Sequence, residues 1–188
     1  MALKTIVKVG EITNLSDARY CAGMGVEMLG FNLDPNSESY ISPEQFKEIT
    51  DWVAGVKSVG EFGWMNQDDI LSTIKEYNLD LIEVNDSNAE IIFKTDIQVI
   101  LSVNNIGIIK SLPDSAAYYL VEDVGFDFND FDSLPILVGG GISKQNIHKI
   151  LQNTAFKGIA LKGSKEEKSG FKDYDELADI LEMLEKEE

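Results

Sequence analysis

Val7-Lys8-Val9-Gly10-Glu11-Ile12-Thr13-Asn14-Leu15-Ser16-Asp17-Ala18-Arg19 reads as a short apolar strand, a tight turn and the opening of a helix. Thr13, Asn14 and Ser16 are each suited to cap that helix, because a short side-chain oxygen satisfies an orphaned backbone N–H. Asp17 falls in the first turn, where the helix dipole favours an acid. After the helix, Gly23-Met24-Gly25-Val26-Glu27-Met28-Leu29-Gly30-Phe31 breaks at glycine and runs into a second apolar strand. This is one β-α-β step, and the rest of the chain repeats its rhythm at roughly 22 to 24 residues per unit.

Composition narrows the possibilities. The 188 residues suit one domain, 1–188, with a sizeable core, and a hydrophobic content of 44% is that of a globular chain. Sixteen Lys and Arg against 33 Asp and Glu give a formal charge of −17. Nucleic acids and anionic membranes are bound through basic patches, so neither is expected as a partner. A single cysteine, Cys21, excludes an internal disulfide and fits a reducing compartment. The first residues carry no signal-peptide pattern and no apolar run reaches about 18 residues, so a cytoplasmic protein is expected.

Along the chain, strands are expected at 6–9, 28–33, 56–62, 79–85, 97–103, 118–122, 135–139 and 156–161. Helices are expected at 16–24, 43–53, 68–77, 87–93, 145–152 and 174–185. Pro43 stands at a first helical position, Asn66 caps the third helix and Ser143 the one after strand seven. The stretch 104–112 is too short and apolar for a full amphipathic helix, so unit five reads as truncated. Phe46, Ile49, Trp52 and Val53 fall on one helical face. Trp52 and Trp64 read as core or loop packing, and Cys21 as a packed small thiol.

The motifs resemble those of the phosphoribosylanthranilate isomerase family of tryptophan biosynthesis. That family opens with Lys-x-Cys-Gly-Ile-Thr, a helix near Asp-Asp-Ala, then Gly-Ala-Asp-x-Leu-Gly-Phe. Lys8, Ile12, Thr13, Asp17, Ala18, Gly25, Leu29, Gly30 and Phe31 match. Tyr40, Ser42, Pro43 and Glu44 match its Tyr-Val-Ser-Pro-Glu stretch, and 135–142 matches its Val-Ile-Leu-Ala-Gly-Gly-Leu. Ser169-Gly170-Phe171-Lys172-Asp173 matches Pro-Gly-x-Lys-Asp. The resemblance runs from Lys8 to Asp173 and beyond. It implies an α/β fold, the eight-fold (β/α) TIM barrel, here short for its type and eroded in units five and six. It also implies a phosphorylated small-molecule ligand, no cofactor and no metal, and a monomer or homodimer.

By the same resemblance, the family's Amadori rearrangement uses an aspartate to protonate the ribose ring oxygen and a cysteine to take the C2 proton. The acid falls on Glu122 or Asp123. The cysteine falls on Gly10, which cannot titrate, and a substrate-contacting arginine falls on Ser39, where the fork of donors for an anion is gone. The family's Gln and His at strand four become Glu83 and Asn85, which alternation places on one side. The expectation is therefore a diverged member whose isomerisation is lost or weakened.

Two constellations remain. Gly139, Gly140 and Gly141 after strand seven, with Lys162, Gly163 and Ser164 after strand eight, suit a phosphate held by backbone N–H groups and one ammonium. Glu11, Asp34, Glu61, Glu83 and Glu122 all fall near strand ends, where an inward set needs raised pKa values, Lys8 or a bound cation as relief. The plainer expectation is that these acids face loops and solvent, and that Lys8 is a buried ion-pair partner. A carboxylate- or metal-dependent enzyme, or a barrel that only binds, are the alternative readings. His148 falls mid-helix, and one His with one Cys leaves no basis for thiol–His catalysis or a His-based zinc site.

Overall fold

The computed structural model describes residues 2–122, 131, 133–153, 155–163, 166–168, 171–172 and 175–186, with the backbone alone at 166–168, 171–172 and 175. Eight parallel strands close into a barrel in sequence order. They are β1 Ile6–Gly10, β2 Met28–Asn32, β3 Lys57–Glu61, β4 Leu81–Asn85, β5 Gln98–Val103, β6 Tyr118–Val121, β7 Ile136–Val138 and β8 Gly158–Lys162. The ring is shut by β1 against β8, in register from Ile6 opposite Gly158 to Gly10 opposite Lys162. A side chain on Gly158 would meet the Ile6 carbonyl at 2.4 Å, so this seam requires glycine.

The α-helices are α1 Leu15–Gly23, α2 Pro43–Thr50, α3 Gln67–Thr73, α4 Ile147–Leu151 and, at the end, α5 Asp175–Leu184. Of the three candidate caps for α1, Asn14 takes the role and accepts the Asp17 N–H. Ser42 and Gln45 cap α2 reciprocally, with Pro43 in the first turn. Asn66 caps α3 as expected. Ser143 does not cap α4: the residue before that helix is Asn146, whose side chain accepts the Ser143 N–H and donates to the Gly141 carbonyl. The α2 helix stops at Thr50, three residues short of expectation, and α3 passes into a 3₁₀ turn, Ile74–Glu76.

Erosion begins one unit earlier than the sequence suggests. After β4 the connection is a 3₁₀ segment, Asp86–Phe93, kinked at Asn88, and after β5 another, Ile106–Ser111. Asp86, Ser87 and Asn88 offer the backbone side-chain partners that compete with a helix. The second segment combines Gly107 with three isoleucines whose β-branching disfavours one. The part of unit six between β6 and β7 lies mostly outside the described residues. A two-strand antiparallel sheet, β9 Glu166–Lys168 with β10 Phe171–Lys172, precedes α5 and has no counterpart in the sequence reading.

Two apolar layers hold the fold. The larger lies between the strands and the outer segments and contains Val7, Val9, Phe31, Phe46, Ile82, Leu101 and Ile159. Cys21 is buried there on α1, as expected. The smaller fills the barrel's interior with Met28, Val59, Leu81, Ile100, Leu120 and Leu137, one from each of β2 to β7. Trp52 and Trp64 contradict the packing expected of them, at 73% and 77% exposed. Trp52 lies past the end of α2 and Trp64 in the loop after β3, so neither is held on an inward helical face. Among the described residues no helix is long and apolar enough to cross a membrane.

Candidate functional site

Side chains in a strand alternate between faces, so two residues beyond each interior apolar position the chain again points inward. From Met28, Val59, Leu81, Leu120 and Leu137 that step reaches Gly30, Glu61, Glu83, Glu122 and Gly139. The dry layer therefore gives way abruptly to carboxylates and glycine. Above it a cavity of about 730 Å³ opens at the C-terminal ends of the strands, lined among others by Lys8, Gly10, Glu11, Glu61, Glu83 and Glu122. The plain expectation that the five strand-end acids face loops and solvent fails for Glu61 and Glu83, which are largely buried on the cavity floor, while Glu11 and the exposed Glu122 line its rim. Only Asp34 stays outside, accepting hydrogen bonds from Asn36 in the β2–α2 loop.

Lys8 is the centre of the cavity floor, 3% exposed. Its ammonium donates to Glu61 Oε1 and lies 2.8 Å from Glu83 Oε2, an ion-pair separation without hydrogen-bond geometry. Glu61 Oε2 accepts the Glu11 N–H at 3.1 Å. Glu11 is the one non-glycine among the described residues with positive φ, 57°, a conformation costing about 1–2 kcal/mol for an L-residue. Room for the Glu61 carboxyl comes from two absent side chains. A Cβ on Gly10 would stand 2.5 Å from Glu61 Oε1, and one on Gly30 2.1 Å from it. An ammonium, a strained backbone N–H and two glycines thus converge on one carboxylate.

The electrostatics follow from burial. For Lys8 desolvation is the largest single influence and opposes the charge. Attraction by Glu61 and then Glu83, with hydrogen bonding, outweighs it, so Lys8 stays charged above the ordinary lysine range. For Glu83 burial is again largest and now wins: Lys8 opposes it, while Glu61 and Glu122 add to it, and the carboxyl holds its proton above the ordinary range. Among the described residues no group of three or more His, Cys, Asp or Glu is arranged to hold a metal ion. Lys8 Nζ itself takes the position of a cation between Glu61 and Glu83.

The rim is built from the ends of β6, β7 and β8. Lys162 Nζ lies 3.5 Å from Glu122 Oε1 and 4.0 Å from Glu11 Oε1. Gly140 and Gly141 have φ of 69° and 64°, which glycine adopts without strain, and a Cβ on Gly140 would meet the Glu122 carbonyl at 2.7 Å. Asn146 fixes this turn through Gly141 and Ser143. Gly139, Gly140, Gly141, Lys162 and Gly163 all line the cavity, as the sequence reading places them. Two of their N–H groups are engaged in stitching the loops: Gly139 donates to Val121 and Gly163 to Gly10, each at 2.8 Å. The Gly140 and Gly141 N–H groups donate to no described residue. Ser164 and Asp123 lie outside the described residues.

Two other candidates are not brought to the cavity. Asn85 shares strand parity with Glu83, but its amide donates to the Gly63 carbonyl and accepts from Ser87, pinning the loops after β3 and β4. Ser39 faces Ser37, 3.1 Å away, in the β2–α2 loop. His148 is exposed on α4. The sequence reading missed Asn32, although Met28, Gly30 and Asn32 follow the same period-two alternation. It also missed Glu176, Leu177 and Ile180 of α5, which close one side of the cavity with no local signal in the sequence.

A family model described as "N-(5'phosphoribosyl)anthranilate (PRA) isomerase" matches residues 7–183. The N-(5'-phosphoribosyl)anthranilate isomerase of Maridesulfovibrio salexigens is 24% identical over 200 positions, spanning 94% of this chain and 96% of that protein. A crystal structure of phosphoribosyl anthranilate isomerase in complex with reduced 1-(o-carboxyphenylamino)-1-deoxyribulose 5-phosphate superposes with a TM-score of 0.78 at 24% identity, covering 95% of this chain and 97% of that one. Monomers derived from the dimeric enzyme of Thermotoga maritima superpose with a TM-score of 0.77 at 22% identity, covering 95% and 97%.

Proposed function

The chain belongs to the N-(5'-phosphoribosyl)anthranilate isomerase family, and from that premise we propose that its cavity binds a phosphorylated small molecule while the family's isomerisation is lost or strongly weakened. The observation that carries the first half is the rim. Two left-handed glycines, 140 and 141, with N–H groups uncommitted among the described residues, stand at the mouth of a 730 Å³ cavity that Lys162 also lines. Backbone N–H groups beside an ammonium are the ordinary means of holding a phosphate. The related crystal structure was solved with a 5-phosphate ligand, which agrees with a phosphorylated ligand here.

The second half rests on position 10. Proton abstraction requires a titratable group within hydrogen-bond reach of the carbon acid. Gly10 has none, and the space its side chain would take is filled by Glu61 Oε1, which Lys8 holds while the Glu11 N–H holds Oε2. Glu122 stands at the end of β6 as the remaining candidate acid, shared with Lys162. Asp123 is the other candidate from the sequence.

A second reading, acid–base chemistry of a different kind, draws on Glu83, which burial keeps protonated beyond the ordinary carboxylate range inside the cavity. One experiment separates these readings: an isomerase assay with freshly generated phosphoribosylanthranilate, beside a Glu122→Ala control, with thermal denaturation in phosphate and in ribose 5-phosphate. No turnover together with stabilisation by both ligands is expected. Turnover that the control abolishes overturns the claim of lost chemistry, and absence of any stabilisation overturns the phosphate site.

A further inference from the structure

Resting on the phosphate reading, the ligand's other end is constrained by the charges beneath the rim. The described residues lining the cavity include five glutamates, at positions 11, 61, 83, 122 and 176, against two lysines, 8 and 162. Neither lysine is uncommitted. Lys8 is shared between Glu61 and Glu83, and Lys162 faces Glu122 and Glu11. The Glu61 carboxyl is held in place by Lys8 and the Glu11 N–H, in the notch left by Gly10 and Gly30. Glu83 Oε1 receives no hydrogen bond from a described residue, so acceptor capacity is left over on the floor. The related complex, by contrast, holds a ligand bearing a carboxyphenyl group.

We infer that this cavity selects a phosphate ester whose other end carries hydrogen-bond donors and no negative charge, a polyol or an amino sugar rather than a carboxylate. A ligand carboxylate placed on this floor meets the Glu61 carboxylate, and nearer the rim those of Glu11 and Glu122, with no free cation among the described residues to receive it. Hydroxyl or ammonium donors meet acceptors that lack them. The phosphate stays at the rim, beside Gly140, Gly141 and Lys162.

The test is calorimetric titration of the full chain with three matched phosphate esters: ribose 5-phosphate, glucosamine 6-phosphate and 6-phosphogluconate. Unphosphorylated glucosamine and gluconate complete the set. The carboxylate ester is expected to bind at least about tenfold more weakly than the other two. A Glu61→Gln variant is expected to narrow that gap, and the order of the first two esters tells ammonium from neutral donors. Equal or tighter binding of 6-phosphogluconate overturns the inference. If phosphorylation adds nothing, the phosphate site fails while a preference for glucosamine over gluconate upholds the selection. If none of the five binds, both fall.

Discussion

Replacing Lys8 by methionine keeps most of the buried volume and removes the ammonium shared by Glu61 and Glu83. Breaking a buried ion cluster by removing one partner costs about 3–5 kcal/mol, because the charge left behind is uncompensated. Glu83 is already biased toward its protonated form, so it can neutralise itself and the loss falls at the lower end, about 3 kcal/mol at pH 7.5. At this chain length that is a fall of roughly 6–12 °C in Tm. The folded pKa of Lys8 is raised, so its contribution is complete below the ordinary lysine value and fades only as pH rises through the folded one. Any pH dependence of the variant between 5 and 8 therefore comes from the stranded carboxylates, and its deficit shrinks on acidification. Urea denaturation of parent and variant at pH 5 and 7.5, followed by far-UV circular dichroism, measures both. A deficit under about 1 kcal/mol at pH 7.5, or one that does not shrink at pH 5, refutes the idea of an ion cluster held by charge.

Glu83→Gln keeps the shape of the side chain and removes its titration. Because its folded pKa is raised, Glu83 favours folding below the ordinary glutamate range and loses that advantage as pH rises through the folded value. The variant should thus be within about 1 kcal/mol of the parent, or more stable, at pH 7 and relatively poorer at pH 4. Gly30→Ala places a Cβ 2.1 Å from Glu61 Oε1 and 3.0 Å from Gly10 Cα, an overpacking expected to cost about 1–3 kcal/mol. In a Glu61→Ala background most of that cost should vanish, giving a coupling of at least about 1 kcal/mol in a double-mutant cycle.

Much of the architecture was legible because it rests on local rules. The Val7–Arg19 strand and helix, the Ser42-Pro43 start and the glycine turn after β7 each state their geometry in a few adjacent residues. The truncation of unit five followed from 104–112 alone, whereas the loss of a regular helix after β4 depended on Asn88 kinking its segment. Period-two alternation set Glu83 and Asn85 on one side without saying which side faces in, and it groups Asn32 with Met28 and Gly30 in the same way. It misled at Asn85, where the strand ends and the side chain turns to the Gly63 carbonyl. The central fact, that Lys8, Gly10, Gly30, Glu61 and Glu83 form one unit, joins four strands and is written nowhere locally. Only the apolar-to-acid break at Glu61 hinted at it. Trp52 lay on a face extrapolated past the true end of its helix.

The packing around Glu61 also has a direction in time. A carboxylate now stands where side chains at 10 and 30 would begin, so neither glycine can be replaced while that carboxylate keeps its place. Position 61 must shorten, or its carboxylate move into the cavity, first. The order in which positions 10, 30 and 61 can change is thus set by steric contact. Screening single substitutions at position 10 therefore works against that carboxylate, and libraries that vary 10, 30 and 61 together remove the obstacle.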